Sequence, residues 1–133
     1  MKKMKYFVYV LFLAIGCSED DDTSLNSNLS GLQGEWSLAN VTGGLIGINE
    51  NFKKGMIIWV FNEETKTVKI TNKNTNDVYD VLSSGTYTYS ILVVNDSKEL
   101  IIDDKNIGNF ELTTNQFTID DQFRDGFKVT FNR

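Results

Sequence analysis

The sequence predicts an all-β fold, an eight-stranded antiparallel up-and-down barrel. Three observations carry this. From Gly34 onward the apolar residues recur with period two and not 3.6. The apolar segments are spaced about ten residues apart, with short Asn- and Asp-rich stretches between them, so neighbours in sequence should pair as antiparallel neighbours in space. The chain has no Pro, so no strand edge is guarded by one, and closing the sheet on itself disposes of the edges.

The elements before the barrel read as an address and a tether. Met1-Lys2-Lys3-Met4-Lys5 is basic, and Tyr6 to Ile15 is an unbroken apolar run. As a helix that run rises ~15 Å, about half a bilayer core, so residues 1–16 read as a secretory signal peptide and not a span. The single cysteine, Cys17, follows directly. Ala14-Ile15-Gly16-Cys17 resembles the lipobox of bacterial lipoproteins. The resemblance implies that Cys17 is lipidated, and two or more acyl chains anchor stably where one does not. The motif departs from the family at Ala14, where Leu is usual, and Ala14-x-Gly16 also fits ordinary signal peptidase, which would leave a free thiol. Residues 17–28 then form the lipidated Cys and an acidic flexible linker. Ser18-Glu19-Asp20-Asp21-Asp22 is a solvated spacer on its charge alone, with a reach of ~18 Å over the linker. It also resembles the export signal of surface lipoproteins in Bacteroidota-type bacteria. That implies an outer-membrane lipoprotein exposed at the cell surface, with the periplasmic face as the alternative.

The barrel domain is assigned to residues 29–133, in eight strands. Trp36 and Leu38 alternate with polar neighbours in the first. Met56 to Phe61 is a continuous apolar run, which predicts cover on both faces. Val68 and Ile70 follow, then Tyr87, Tyr89, Ile91 and Val93. The remaining strands are marked by Leu100 and Ile102, by Phe110 and Leu112, by Phe117 and Ile119, and by Phe127, Val129 and Phe131. No stretch is convincingly helical beyond one turn at Leu29-Ser30-Gly31-Leu32.

Leu32-Gln33-Gly34-Glu35-Trp36 resembles the G-x-W opening of lipocalins and of the lipocalin-like domains of bacterial lipoproteins. Gly55-x-x-x-Trp59-x-Phe61-Asn62 and Ser84-Gly85-Thr86-Tyr87-Thr88-Tyr89 are similar to the second and fourth strands of those domains. The resemblance implies a short 3₁₀ turn at the N-terminal closure, a close approach at Gly34, an inward Trp36, and an Arg from the chain end lying across that Trp. Arg133 holds the matching place; otherwise it is a solvated terminal residue.

Composition limits the chemistry. The chain has 13 Lys+Arg, 18 Asp+Glu and no His. Without the signal-peptide lysines the mature chain is more acidic still, which argues against a nucleic-acid partner. Without His a Ser-His-Asp triad is impossible and the commonest metal ligand is absent. One Cys gives no disulfide and no multi-cysteine metal site. Asp103-Asp104 and Asp120-Asp121 read as solvated turns. Asn72-x-Asn74-x-Asn76-Asp77 lacks the Gly and terminal Glu of a calcium loop. No catalytic residue, metal or cofactor is assigned, and the protein is expected not to be an enzyme.

Binding remains, and the barrel resemblance implies where. A small apolar ligand inside would meet Trp59, Tyr87 and Tyr89, whose polar tips need partners when buried. Asn40, two residues beyond Leu38, would stand near the mouth on the same face. Leu45, Ile48 and Phe52 lie in the long connection Thr42 to Gly55, together with Ile46. That connection is either a lid across the mouth or a loop packed outside the second strand. The competing expectation is a barrel filled by its own aromatics, working as a protein-binding module of the envelope.

Overall fold

The computed structural model describes residues 31–133. The expected signal peptide, Cys17, the expected linker and the first two residues of the turn predicted at Leu29–Leu32 lie outside the described residues. Nine antiparallel strands follow: β1 (Gly34–Gly43), β2 (Ile48–Asn51), β3 (Ile57–Asn62), β4 (Thr67–Asn72), β5 (Gly85–Val94), β6 (Ser97–Ile102), β7 (Lys105–Leu112), β8 (Gln116–Asp120) and β9 (Phe127–Asn132). The sheet runs β2-β1-β3-β4-β5-β6-β7-β8-β9, and β9 pairs back onto β1. The result is a closed eight-stranded up-and-down barrel with β2 as an extra strand.

β1 holds the closure together. Its first half pairs with β3, its second half with β2, and its other edge with β9 over Ser37 to Gly43. β2 and β3 therefore follow one another along the same edge of β1, interrupted by an excursion at Lys53–Met56. Two tight hairpins show why the sequence turns where it does. Asn95 and Asp96 join β5 to β6, and Asp103 and Asp104 join β6 to β7, all with positive φ. Two such residues in a row make the turn that matches strand twist, and Asn and Asp tolerate it best after Gly.

The strand alternation places the core as expected, with additions. Trp36, Leu38, Ile57, Trp59, Phe61, Val68, Ile70, Tyr89, Leu100, Ile102, Phe110, Phe117, Ile119, Val129 and Phe131 are buried together, joined by Leu32 and Val41. Tyr87, Ile91, Leu112 and Phe127 are only partly buried against that cluster. Trp59, Phe61, Phe117 and Phe131 stand ring to ring in the middle, with Phe117 stacked on Phe131 at 4.3 Å and Trp59 4.7 Å from Phe131. Such contacts add to plain burial, and they line the interior with aromatic rings.

Several expectations are corrected. The stretch Thr42 to Gly55 is not one loop, because Ile48–Asn51 is a strand on the edge of β1. It neither lids the mouth nor covers β3: Leu45 and Ile46 are exposed, and so is Val60 on the outer face of β3. The segment over that end is instead Lys73 to Ser84, between β4 and β5. Its Val81 and Leu82 pack against the core, and its Tyr79 stacks on Phe127 of β9 at 3.9 Å. Among the described residues one 3₁₀ turn is seen, at Gln122–Arg124 between β8 and β9, which leaves the turn expected at the N-terminal closure untouched. Gly34 has no neighbour among the described residues close enough to touch an added Cβ, so what they show it to require is its φ of 109° and not a close approach.

Candidate functional site

The two ends of the barrel differ, and β1 defines them. Its ten residues rise ~33 Å from the end where the chain leads in to the end where β1 turns into β2.

At the lead-in end, residues 31–33 are locked to three different elements. The Trp36 indole Nε1 donates to the Leu32 carbonyl at 2.8 Å. Glu63, in the β3–β4 turn, accepts from the Leu32 and Gln33 amides, and Gln33 Oε1 accepts from the Glu63 amide. Arg133 lies across Trp36 with its guanidinium carbon 4.0 Å from the ring centroid. Its Nη2 donates to Gly31 O, its Nη1 to Gln33 O and its Nε to Thr114 O. A planar fork meeting carbonyls at its edge and a ring on its face is held on both counts. This is the Trp–Arg arrangement that the lipocalin resemblance implies.

The predicted ligand residues do not converge. Trp59 is fully buried among the central rings. Tyr87 turns its hydroxyl to the Ser83 carbonyl at 2.9 Å, into the β4–β5 connection. Tyr89 sits edge-on to Phe61 at 5.0 Å, and burial with the nearby Glu63 carboxylate pushes its phenol up to about 12. Asn40 is on the other face from the one expected. The β1–β9 register slips between Leu38 and Asn40, so Val41 takes the inward place. A bulge adds one residue and reverses the alternation beyond it. Asn40 Nδ2 instead bridges to Asn49 Oδ1, Glu50 O and Asn51 Oδ1, fastening β2. Ile48 and Phe52 are partly buried against the core. Phe52 lines an open cleft of about 240 Å³ with Ser37, Leu38, Ala39, Lys54, Asn132 and Arg133, on the outside of the barrel.

Within the aromatic interior, Trp59 Nε1 and the Tyr89 hydroxyl are buried with no hydrogen-bond partner among the described residues. Both are donors, and each is an anomaly in an otherwise satisfied core.

The acidic turns are structural. Asp103 Oδ1 accepts from the Thr88 amide and hydroxyl. Asn72 and Asn74 both donate to Asp80 Oδ2, while their own carbonyl oxygens accept from the Asn74 and Asn76 amides. Those oxygens are spent on the backbone. Among the described residues no group of three or more His, Cys, Asp or Glu side chains is placed to hold a metal ion.

The far end carries the feature that is hardest to explain by folding. Leu45 is 88% exposed and Ile46 93% exposed, at the tip of the β1–β2 turn. That turn is not loose. Gly44 N donates to Gly126 O at 2.9 Å and Gly47 N to Gly44 O at 3.1 Å. The first bond fastens it to the β8–β9 connection, where Phe123 is 62% exposed. Arg124 covers one face of Phe123 and is itself paired with Asp121 at 2.6 Å. Three large apolar side chains thus project from two joined turns on one rim. The sequence marks Leu45 and Ile46 as anomalous loop residues, but Phe123 carries no such signal, because it sits alone among polar neighbours.

No family model, curated protein or solved structure matches the chain.

Proposed function

We infer that this chain is a lipid-anchored, non-catalytic binding module of the bacterial cell envelope, whose barrel presents its far rim to a protein partner. The observation that carries the reading is the cluster of Leu45, Ile46 and Phe123 on a braced rim, beside an interior occupied by aromatic rings. Apolar residues held out in solvent by a fixed turn are costly to keep unless something covers them. Because they protrude, the fitting partner surface is a concave apolar pocket. The basic start, short apolar run and Cys17 support the anchor, and the acidic segment after it supports surface exposure. The rim lies on the opposite end of β1 from the lead-in, so a tether at Cys17 leaves it free to project.

The anchor is tested by feeding cells an alkyne fatty acid. The chain should become labelled, and Cys17→Ser should lose the label and leave the membrane fraction. Protease added to intact cells should remove the domain if it faces outward. For the rim, a photo-crosslinking residue in place of Ile46 should give a discrete adduct that Leu45→Ser abolishes. The same probe at Lys69, on the barrel wall, should give none. Equal adducts from both positions would reject the reading.

A small apolar ligand in the barrel is the second reading, and the orphaned Trp59 Nε1 and Tyr89 hydroxyl favour it. A ligand with one acceptor oxygen would satisfy a donor that the fold leaves bare. Native mass spectrometry of protein taken from its own membrane decides between the two. A retained small molecule supports the second reading, and a mass equal to the acylated chain alone removes it.

A further inference from the structure

The β5–β6 hairpin runs past the end of the barrel. Pairing between β4 and β5 stops at Thr67↔Thr88, and the Tyr89 amide still reaches Lys66 O. Beyond that point β5 continues through Ser90, Ile91, Leu92, Val93 and Val94 with β6 on one side only. Among the described residues nothing pairs with its other edge.

Hydrogen-bond parity fixes which groups face outward. The Asp103 amide donates to Thr88 O, and Val94↔Ser97 closes a two-residue turn. In an antiparallel ladder bonded pairs alternate with non-bonded ones. The even-numbered residues of β5 therefore exchange bonds with β6, while Ile91 and Val93 turn their N–H and C=O groups to the free edge. The side chains there are apolar on both faces, with Leu92 48%, Val93 46% and Val94 42% exposed. No Pro or charged residue interrupts Ser90–Val94; the hairpin's charges, Asp96, Lys98 and Glu99, lie at its tip and on β6. Proteins that keep such an edge apart from other strands place Lys or Pro on it. This one does not.

We propose that the free edge of β5 pairs antiparallel with the same edge of a second copy of this chain, about a two-fold axis at Leu92. The registry is self-complementary. Ile91 N–H meets the second copy's Val93 C=O, and that Val93 N–H returns to Ile91 C=O. The symmetry mate repeats both, so every outward donor finds an acceptor. Leu92 meets its own copy at the central non-bonded position, where Cα atoms lie ~4.5 Å apart. Like meets like without like charge, because the edge is uncharged. A strand this short buries less than the ~1,200 Å² of a standard interface, so the dimer is weak and appears only at high protein concentration. The inference does not depend on the lipid anchor or on the rim partner.

The test uses the full chain with Cys17→Ser, so that one thiol can be placed at will. Leu92→Cys should form a covalent dimer under mild oxidation, since that Cα separation suits a disulfide. Thr86→Cys should not, because its stretch of the edge is already held by β4. In sedimentation, the chain should pass from monomer to dimer as concentration rises. Leu92→Lys sets two like charges face to face, and Val93→Pro removes an outward N–H without touching the β6 bonds. Each should weaken association by on the order of tenfold or more, and Leu92→Lys serves if the Pro variant fails to fold. A chain that stays monomeric at the highest concentration, or equal crosslinking at positions 92 and 86, overturns the proposal. So does a Leu92→Cys thiol captured only by other proteins, which would assign the edge to a different strand.

Discussion

Arg133 is exposed by area, yet each of its guanidinium nitrogens donates to a backbone carbonyl and its face lies on Trp36. The charge matters less than the shape, since a lysine offers neither the fork nor the flat face. Arg133→Ala is expected to cost about 1–3 kcal/mol, read as a lower urea midpoint, and Arg133→Lys to recover less than half of it. An unchanged midpoint would mean that the contact contributes nothing. Tyr89 makes the opposite case, a buried hydroxyl with nothing to bond among the described residues. Its phenol is held up to about 12 in the fold, against an ordinary 10.0, by burial and then by Glu63. As pH rises past 10 the unfolded chain gives up this proton while the folded chain keeps it, so the unfolded state binds fewer protons and stability falls. The contribution is whole below pH 10 and fades as pH approaches 12. Tyr89→Phe should remove that alkaline slope and leave the melting temperature at pH 7 unchanged or higher, because an unmet donor is deleted. Thermal melts from pH 7 to 11.5 on both proteins measure it.

β2 exists because Asn40 was turned outward. The bulge after Leu38 aims this amide at Asn49, Glu50 and Asn51, which hold the short strand on the edge of β1. Asn40→Ala should cost about 1 kcal/mol and act locally. Amides of Ile48–Asn51 should exchange faster with solvent, while those of β3 and β9 keep their protection. Uniformly faster exchange would show that β2 unfolds only with the whole barrel. This bulge also marks the limit of reading strands by alternation. The pattern through Trp36, Trp59, Val68, Phe117 and Val129 was legible because each side chain faces one densely packed interior. Past Leu38 the parity reversed, and Ala39 gives no warning of it, since no glycine or strained residue type is there. β2 itself was unreadable, for Ile48-Asn49-Glu50-Asn51 carries one apolar residue and depends on a contact from another strand. The cover over the far end was missed for a related reason. Val78, Tyr79, Val81 and Leu82 follow no period, and their apolar character in a connection was the only available sign. At the lead-in end, Arg133 on Trp36 was legible through the lipocalin resemblance alone, because nothing local ties residue 133 to residue 36.

At the scale of the molecule, the barrel is closed by one seam between the first and last strands, β1 and β9. Phe131 sits in that seam between Leu38 and Phe117 and reaches the central rings. Closure also brings the ends of the domain together, with Arg133 Nη2 2.7 Å from Gly31 O. Where the ends meet, the order in which strands are connected should matter less than the ring of pairings they form. A circular permutant makes this testable. Arg133 is joined to Gly31 by a short Gly/Ser linker, and the chain is reopened between Leu45 and Ile46, whose side chains are almost fully exposed. Every strand pairing survives in that design, including β1–β9, and so does the Arg133 fork. It should fold to the same far-ultraviolet spectrum and melt within a few degrees of the parent. Reopening inside β7 at Gly108 should not be tolerated, because that backbone is buried against Asp120 and Ile119 in β8. If the Leu45–Ile46 permutant fails to fold, the β1–β2 turn must be covalently intact to bring β2 onto β1. The rim would then belong to the folding of the barrel as well as to what docks on it.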